Sequence, residues 1–196
     1  MKGANMRKHI WSAIGVAMLL SACATVSQTG RTESDLQATL ARLQAHREQG
    51  RTGSVWGFLY LREPGVPTPL KDRAVTLLPL TPGLETTIHR VRQTYRDGGY
   101  AILPFQTLDQ LKQALDSYRT QLKDAGRGDL IRQTRTDTAD DPKFEFSAVP
   151  EGRWLLLAEL PSPPSLAVWI VPVTVTAGAA TKQSLNDQTV IEGLIQ

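Results

Sequence analysis

Between Gly83 and Arg127 the apolar residues recur every three or four positions; on both sides of that stretch they alternate. A period near 3.6 turns one side of a helix toward a core, and a period of two does the same for a strand. The chain therefore reads as strands, then helices, then strands. Leu84, Ile88, Val91 and Tyr95 are spaced four, three and four, and Arg96-Asp97-Gly98-Gly99 breaks the pattern. Leu108, Leu111, Leu115, Tyr118 and Leu122 follow at three, four, three and four. Thr107, with Gln110 three residues on, has the form of a capping box, and Gly126 and Gly128 end the run. Two such segments around a glycine break predict a helical hairpin inserted at about residues 83–128.

The flanking segments read as short strands. Ser54 to Arg62 sets Val55, Leu59 and Leu61 on one face and Trp56, Phe58 and Tyr60 on the other. Pro64 to Pro69 reads as a turn, and Ala74 to Leu80 as a second strand. After Ile131 strands resume: Phe144 and Phe146 face one way, Lys143 and Glu145 the other. Arg153 to Leu160 follows a Pro150-Glu151-Gly152 turn, and Ala167 to Thr176 follows a proline-rich loop. Pro172 lacks an N–H, so that strand belongs at an edge or carries a bulge. Thr181 to Leu185 is a last short strand. Six to seven short strands with turns between them predict a mainly β protein, a β-sandwich interrupted by the hairpin.

The N-terminus has the parts of an export signal. Lys2, Arg7 and Lys8 form a basic start, and Ile10 to Leu20 an apolar run of about eleven residues, short of the ~20 that span a membrane. Small residues, Ser21 and Ala22, precede Cys23, the single cysteine of the chain. Leu20-Ser21-Ala22-Cys23 resembles the bacterial lipobox. The resemblance implies removal of residues 1–22, a diacylglycerol on the Cys23 sulfur and an acyl chain on the new amino group. Ala24 in place of Asp implies an outer-membrane destination facing the periplasm, with the inner membrane as alternative. A cleaved secretory signal with an incidental cysteine is the other reading. Residues 23–52 then hold a polar tether, Ala24 to Glu33, and a helix, Ser34 to Gln49, with a stripe of Leu36, Leu40 and Leu43. Ser34 or Thr32 offers a cap. The helix either lies on the domain or serves as a stalk or a partner-binding helix.

Charge and side-chain inventory narrow the chemistry. The chain has 22 Lys and Arg against 19 Asp and Glu, and the three basic residues before Cys23 leave 19 against 19 once the leader is gone. A neutral chain lacks the basic stripe of a nucleic-acid binder. Acylation of Cys23 uses the one thiol. His46 and His89 stand alone in helical segments, read as exposed, with no HExxH motif for zinc. Neither a Gly-x-Ser-x-Gly elbow nor a Walker loop occurs. Asp137, Asp140 and Asp141 cluster, but Pro142 follows and no bidentate Glu completes a calcium loop. The expectation is a protein without catalytic residues, metal or cofactor, with an envelope hydrolase as the disfavoured alternative.

Several segments share a further likeness. Gly53-Ser54-Val55-Trp56-Gly57, Ala74 to Pro79, Phe144-Glu145-Phe146, Val149 to Trp154, and Val173 to Gly178 with Lys182 to Leu185 together resemble a carboxypeptidase regulatory-like domain. The resemblance implies a transthyretin-like, Ig-like sandwich over residues 53–188, with 189–196 as a tail, and a non-catalytic companion role. It departs at Pro142, where the family carries glycine, and in the length of the insertion. Two binding modes follow as expectations. An envelope protein would dock on an edge strand or on the stripe Leu108, Leu111, Leu115, Tyr118 and Leu122. Alternatively, a carbohydrate or peptidoglycan strand would stack on Trp56, Phe58 and Tyr60, provided that core packing or the inserted helices do not cover those rings.

Overall fold

The computed structural model describes residues 33–63, 66–98, 104–138, 140–160 and 167–186. Residues 1–32, which include the expected leader, Cys23 and the expected tether apart from Glu33, lie outside the described residues, as do residues 187–196; Glu33 is the first residue of α1. The elements run in the order α1 (33–48), β1 (Thr52–Phe58), β2 (Tyr60–Glu63), β3 (Val66–Pro69), β4 (Ala74–Pro79), α2 (Pro82–Gly98), α3 (Pro104–Asp124), β5 (Arg132–Arg135), β6 (Lys143–Pro150), β7 (Gly152–Leu160), β8 (Ala167–Val175) and β9 (Ala180–Lys182). The chain is mainly β, as its alternating segments predict.

Two sheets carry the sandwich. One has the order β5-β4-β7-β8, the other β6-β1-β9, and β2 and β3 form a separate ribbon. In β4, Val75 to Pro79 are all buried, and in β7 Trp154 to Ala158 are too. Neighbouring residues of a strand point to opposite faces, so this sheet is covered on both sides. The β6-β1-β9 sheet covers one side and the helices the other. β8 ends the four-stranded sheet, so Pro172 does sit on an edge strand, where its missing N–H leaves no central ladder incomplete.

One face of the three-stranded sheet packs into the core, and the described residues of the other face are half-buried or exposed. Val55, Phe144 and Phe146 point inward, at most 3% exposed, while Lys143, Glu145 and Lys182 are turned outward. Two glycines let β9 lie against β1. A Cβ at Gly57 would sit 2.0 Å from the Gln183 carbonyl oxygen, and one at Gly53 would sit 2.5 Å from that of Thr176. β9 runs parallel to β1, opposite Ser54, Val55 and Trp56. On the other side, β6 carries a bulge opposite Ser54, with Ala148 at φ 50°.

The first predicted strand is divided. The chain leaves the sheet at Leu59 and enters the β2–β3 ribbon, so the described residues hold nine strands where six to seven were expected. Val66 to Pro69, read as a turn, is a strand. Leu70 donates its N–H to the Leu59 carbonyl at 3.0 Å, so Tyr60↔Pro69 and Arg62↔Pro67 fall at the alternate positions that exchange no hydrogen bonds. Both prolines thus fit the ladder. Thr136, 3% exposed, staples the turn that follows: its hydroxyl donates to the Leu70 carbonyl at 2.8 Å and accepts from the Arg73 N–H at 2.9 Å.

The helices pack on the sandwich. α2 is capped by Thr81, whose hydroxyl accepts the Leu84 N–H at 3.2 Å, with Pro82 at the first helical position. α3 begins at Pro104, so Thr107 lies inside the helix rather than capping it. Gly126, at φ 68°, closes α3: its N–H reaches Lys123 and that of Arg127 reaches Leu122. α1 ends the same way at Gly50, also at φ 68°. Its Leu36, Leu40 and Leu43 are 1–3% exposed, each contributing about 1.5–3 kcal/mol of gross burial. α1 therefore lies on the domain and is not a free stalk. His46, expected to be exposed, ties it down, donating from Nδ1 to the Glu151 carbonyl at 2.7 Å. Arg47 pairs with Asp129 and Arg127 donates to Gln44.

Candidate functional site

Trp56, Phe58 and Tyr60 form a row on the open face of the three-stranded sheet. The alternation of β1 and β2 puts all three on one side, and each is half-buried rather than covered. Trp56 and Phe58 meet edge to face, 5.9 Å between ring centres at 82°. Phe58 and Tyr60 are tilted by 42° with centres 6.2 Å apart. Among the described residues, the inserted helices meet the other sheet, through Tyr118 at Pro79 and Glu85 at Arg153, and not the row.

Polar groups frame it. Opposite Trp56 the register sets Glu145 on β6 and Lys182 on β9; opposite Phe58 it sets Lys143. The Lys182 ammonium rests 5.1 Å from the centre of the Trp56 ring and 5.8 Å from that of Phe58. The Lys143 ammonium is 5.6 Å from the Trp56 ring and 2.7 Å from the Glu145 carboxylate. At the far end the Tyr60 hydroxyl donates to Asp141 at 2.8 Å, and partial burial together with that carboxylate raises the phenol above its ordinary pKa. The row thus offers apolar ring surface bordered by charges of both signs, cationic beside Trp56 and anionic beside Tyr60.

The other predicted face does not stand free. Leu111, Leu115, Tyr118 and Leu122 are 0–6% exposed, packed into the same core as the sheets. Leu108 lies on α3, its side chain outside the described set. The Tyr118 hydroxyl donates to the Pro79 carbonyl at 2.9 Å, and burial pushes its pKa far up. These four residues are how α3 joins the sandwich, so they do not form a free docking stripe.

The acidic cluster is dispersed too. Asp140 pairs with Lys71 at 2.9 Å, which lowers its pKa, and Asp141 accepts from Tyr60. Among the described residues no three His, Cys, Asp or Glu side chains gather as metal ligands. An open cleft of about 220 Å³ lies between α1, α2 and α3, bordered by Leu36, Leu84, Thr87, Ala114, Tyr118 and Gln121. Among the described residues no helix is long and apolar enough to cross a membrane.

Sequence reasoning placed the three rings on one face but missed the lysine beside them. Lys143 was legible from its alternation with Phe144. Lys182 reaches Trp56 through a parallel pairing that no periodicity announces; the two glycines flanking Ser54-Val55-Trp56 were its one trace.

No family model matches the sequence, and no curated protein matches it. Among solved structures, the chain is similar to a Pseudomonas aeruginosa protein provisionally described as carbohydrate binding, at 19% identity over 69% of this chain and 88% of that one, with a TM-score of 0.42. It also matches the pilus backbone protein of Streptococcus pneumoniae at 10% identity, over 68% of this chain and 40% of that one, with a TM-score of 0.32.

Proposed function

We propose that this chain is a non-catalytic binding module of the bacterial envelope, held to the outer membrane by a lipid on Cys23, and that it grips a glycan with the row Trp56, Phe58 and Tyr60. The anchor reading rests on the lipobox, and the companion-module reading on the likeness to a carboxypeptidase regulatory-like domain. The observation that carries the glycan reading is the uncovered aromatic row. A sugar ring has an apolar C–H face and hydroxyl edges. The row offers both complements: ring surface along its length, and Lys143, Glu145 and Asp141 along its borders.

The lysines favour the glycan reading over a protein partner. The cores of protein interfaces are depleted in lysine, whereas here two ammonium groups lie within 5.6 Å of the Trp56 ring. An envelope-protein partner is the second reading, favoured by the edge strands of both sheets, to which a partner strand adds through backbone hydrogen bonds. Pro172 blunts that route at β8.

The test is calorimetric titration of the mature chain with soluble cell-wall glycan fragments, repeated with Trp56→Ala and Phe58→Ala. We expect each substitution to weaken binding by about tenfold or more, equivalent to about 1.4 kcal/mol, with circular dichroism unchanged. Equal affinity in wild type and both variants removes the row from the binding site. Crosslinking in cells to one envelope protein, retained in both variants, favours the strand-addition reading.

A further inference from the structure

Resting on the glycan reading, we infer that the row takes an acidic glycan, a polymer whose sugars carry carboxylates, and that Lys182 reads the carboxylate at the Trp56 end. The two lysines beside Trp56 differ. Lys143 is already paired with Glu145 at 2.7 Å. Lys182 has no carboxylate partner among the described residues; its ammonium faces the Trp56 and Phe58 rings at 5.1 and 5.8 Å. An exposed cation over a ring is held weakly, and a charged hydrogen bond to a carboxylate is stronger. A ligand carboxylate therefore draws the ammonium off the ring and, in the same movement, frees the ring face for the sugar.

Lys182 is placed by the backbone. Gln183 donates its N–H to the Trp56 carbonyl at 2.8 Å, and Gly57 leaves no Cβ to keep β9 away. The ammonium is thus delivered beside the ring by strand pairing. Charge balance sets the direction: Asp141 beside Tyr60 repels a carboxylate there, whereas beside Trp56 the Glu145 carboxylate is matched by Lys143 and leaves Lys182 over. Neutral sugars stack on the remainder of the row.

Two pairs of probes test this on the mature chain. In each pair the backbone is comparable and the carboxylate differs: chitin hexamer against peptide-free peptidoglycan strands, and galactose oligomers against galacturonate oligomers. We expect the acidic member to bind about tenfold or more tighter, with a change in tryptophan emission that is lost in Trp56→Phe. Lys182→Gln, at an exposed position, should bring the two members of each pair within about twofold by lowering the acidic affinity, with circular dichroism unchanged. Equal binding of both members by wild type, or a preference that survives Lys182→Gln, overturns the acidic-glycan inference and leaves the glycan reading standing. Failure of all four probes to bind overturns both.

Discussion

A Cβ added to Gly57 would stand 2.0 Å from the carbonyl oxygen of Gln183, a contact that no side-chain rotation relieves because the obstacle is backbone. Gly57→Ala should therefore push β9 off β1. The expected cost is at the upper end of overpacking changes, about 3 kcal/mol, read as a lower urea midpoint, together with loss of hydrogen-exchange protection at Gln183. An unchanged midpoint would mean that β9 does not pair here.

Helix α1 belongs to the folded domain. Leu40 is 2% exposed, and Leu40→Ala should cost about 2–5 kcal/mol in chemical unfolding. A stalk helix would lose almost nothing, so a change below about 0.5 kcal/mol returns α1 to that role.

Tyr118 predicts an alkaline effect. Burial raises its pKa above the ordinary value of about 10. A raised folded pKa gives stability that is fully present below the unfolded value and is lost as pH rises toward the folded one. Between about pH 9 and 11 the wild type should lose more stability than Tyr118→Phe. At neutral pH the variant should be weaker by about 1 kcal/mol, from the lost bond to Pro79. Parallel loss in both proteins at high pH would show that the phenol is not protected.

Glu85 predicts a small acid effect of opposite sign. The Arg153 guanidinium, 2.8 Å away through its Nη1, lowers the Glu85 pKa by hydrogen bonding and charge. A depressed folded pKa gives stability that is present above the ordinary carboxylate value and is lost as pH falls through the folded one. Both side chains are well exposed, 42% and 50%, so water screens the pair and Glu85→Gln should cost no more than about 1 kcal/mol at pH 7. As pH falls below the ordinary carboxylate range the gap between the variant and the wild type should close; a constant gap would assign the loss to packing.

The anchor has its own test. Cys23→Ser should move the protein from the membrane fraction to the soluble one, and mass spectrometry of the wild-type N-terminal peptide should show acylation. Membrane retention of the variant would mean that another surface holds it.

The periods of two and 3.6 made most of the fold legible. They located β4, β7 and β8 and the stripes of α1, α2 and α3, because burial of one face leaves that imprint whatever lies against it. The same generality hid the partner of each face. The Leu111 to Leu122 stripe shows that a side of α3 is buried, but an inserted helix and a docking helix share that pattern, and here the cover is the protein's own sandwich. Val66 to Pro69 looked like a turn because two prolines normally break a ladder. Only the register with Tyr60 and Arg62 shows that they miss its bonds. The candidate site divides in the same way: Trp56, Phe58 and Tyr60 were visible as a face, whereas their exposure and the approach of Lys182 depend on pairing between distant segments.

Strand β1 lies between β6 and β9. β1 thus waits for neighbours encoded far downstream: β6 begins at Lys143 and β9 at Ala180. Contacts so distant in sequence form slowly. Any product cut short before Ala180 keeps a naked strand edge, the kind of surface on which chains clump. Synthesis of β9 is therefore what seals this edge of β1, and fragments that lack it are marked by their own unfinished hydrogen bonds.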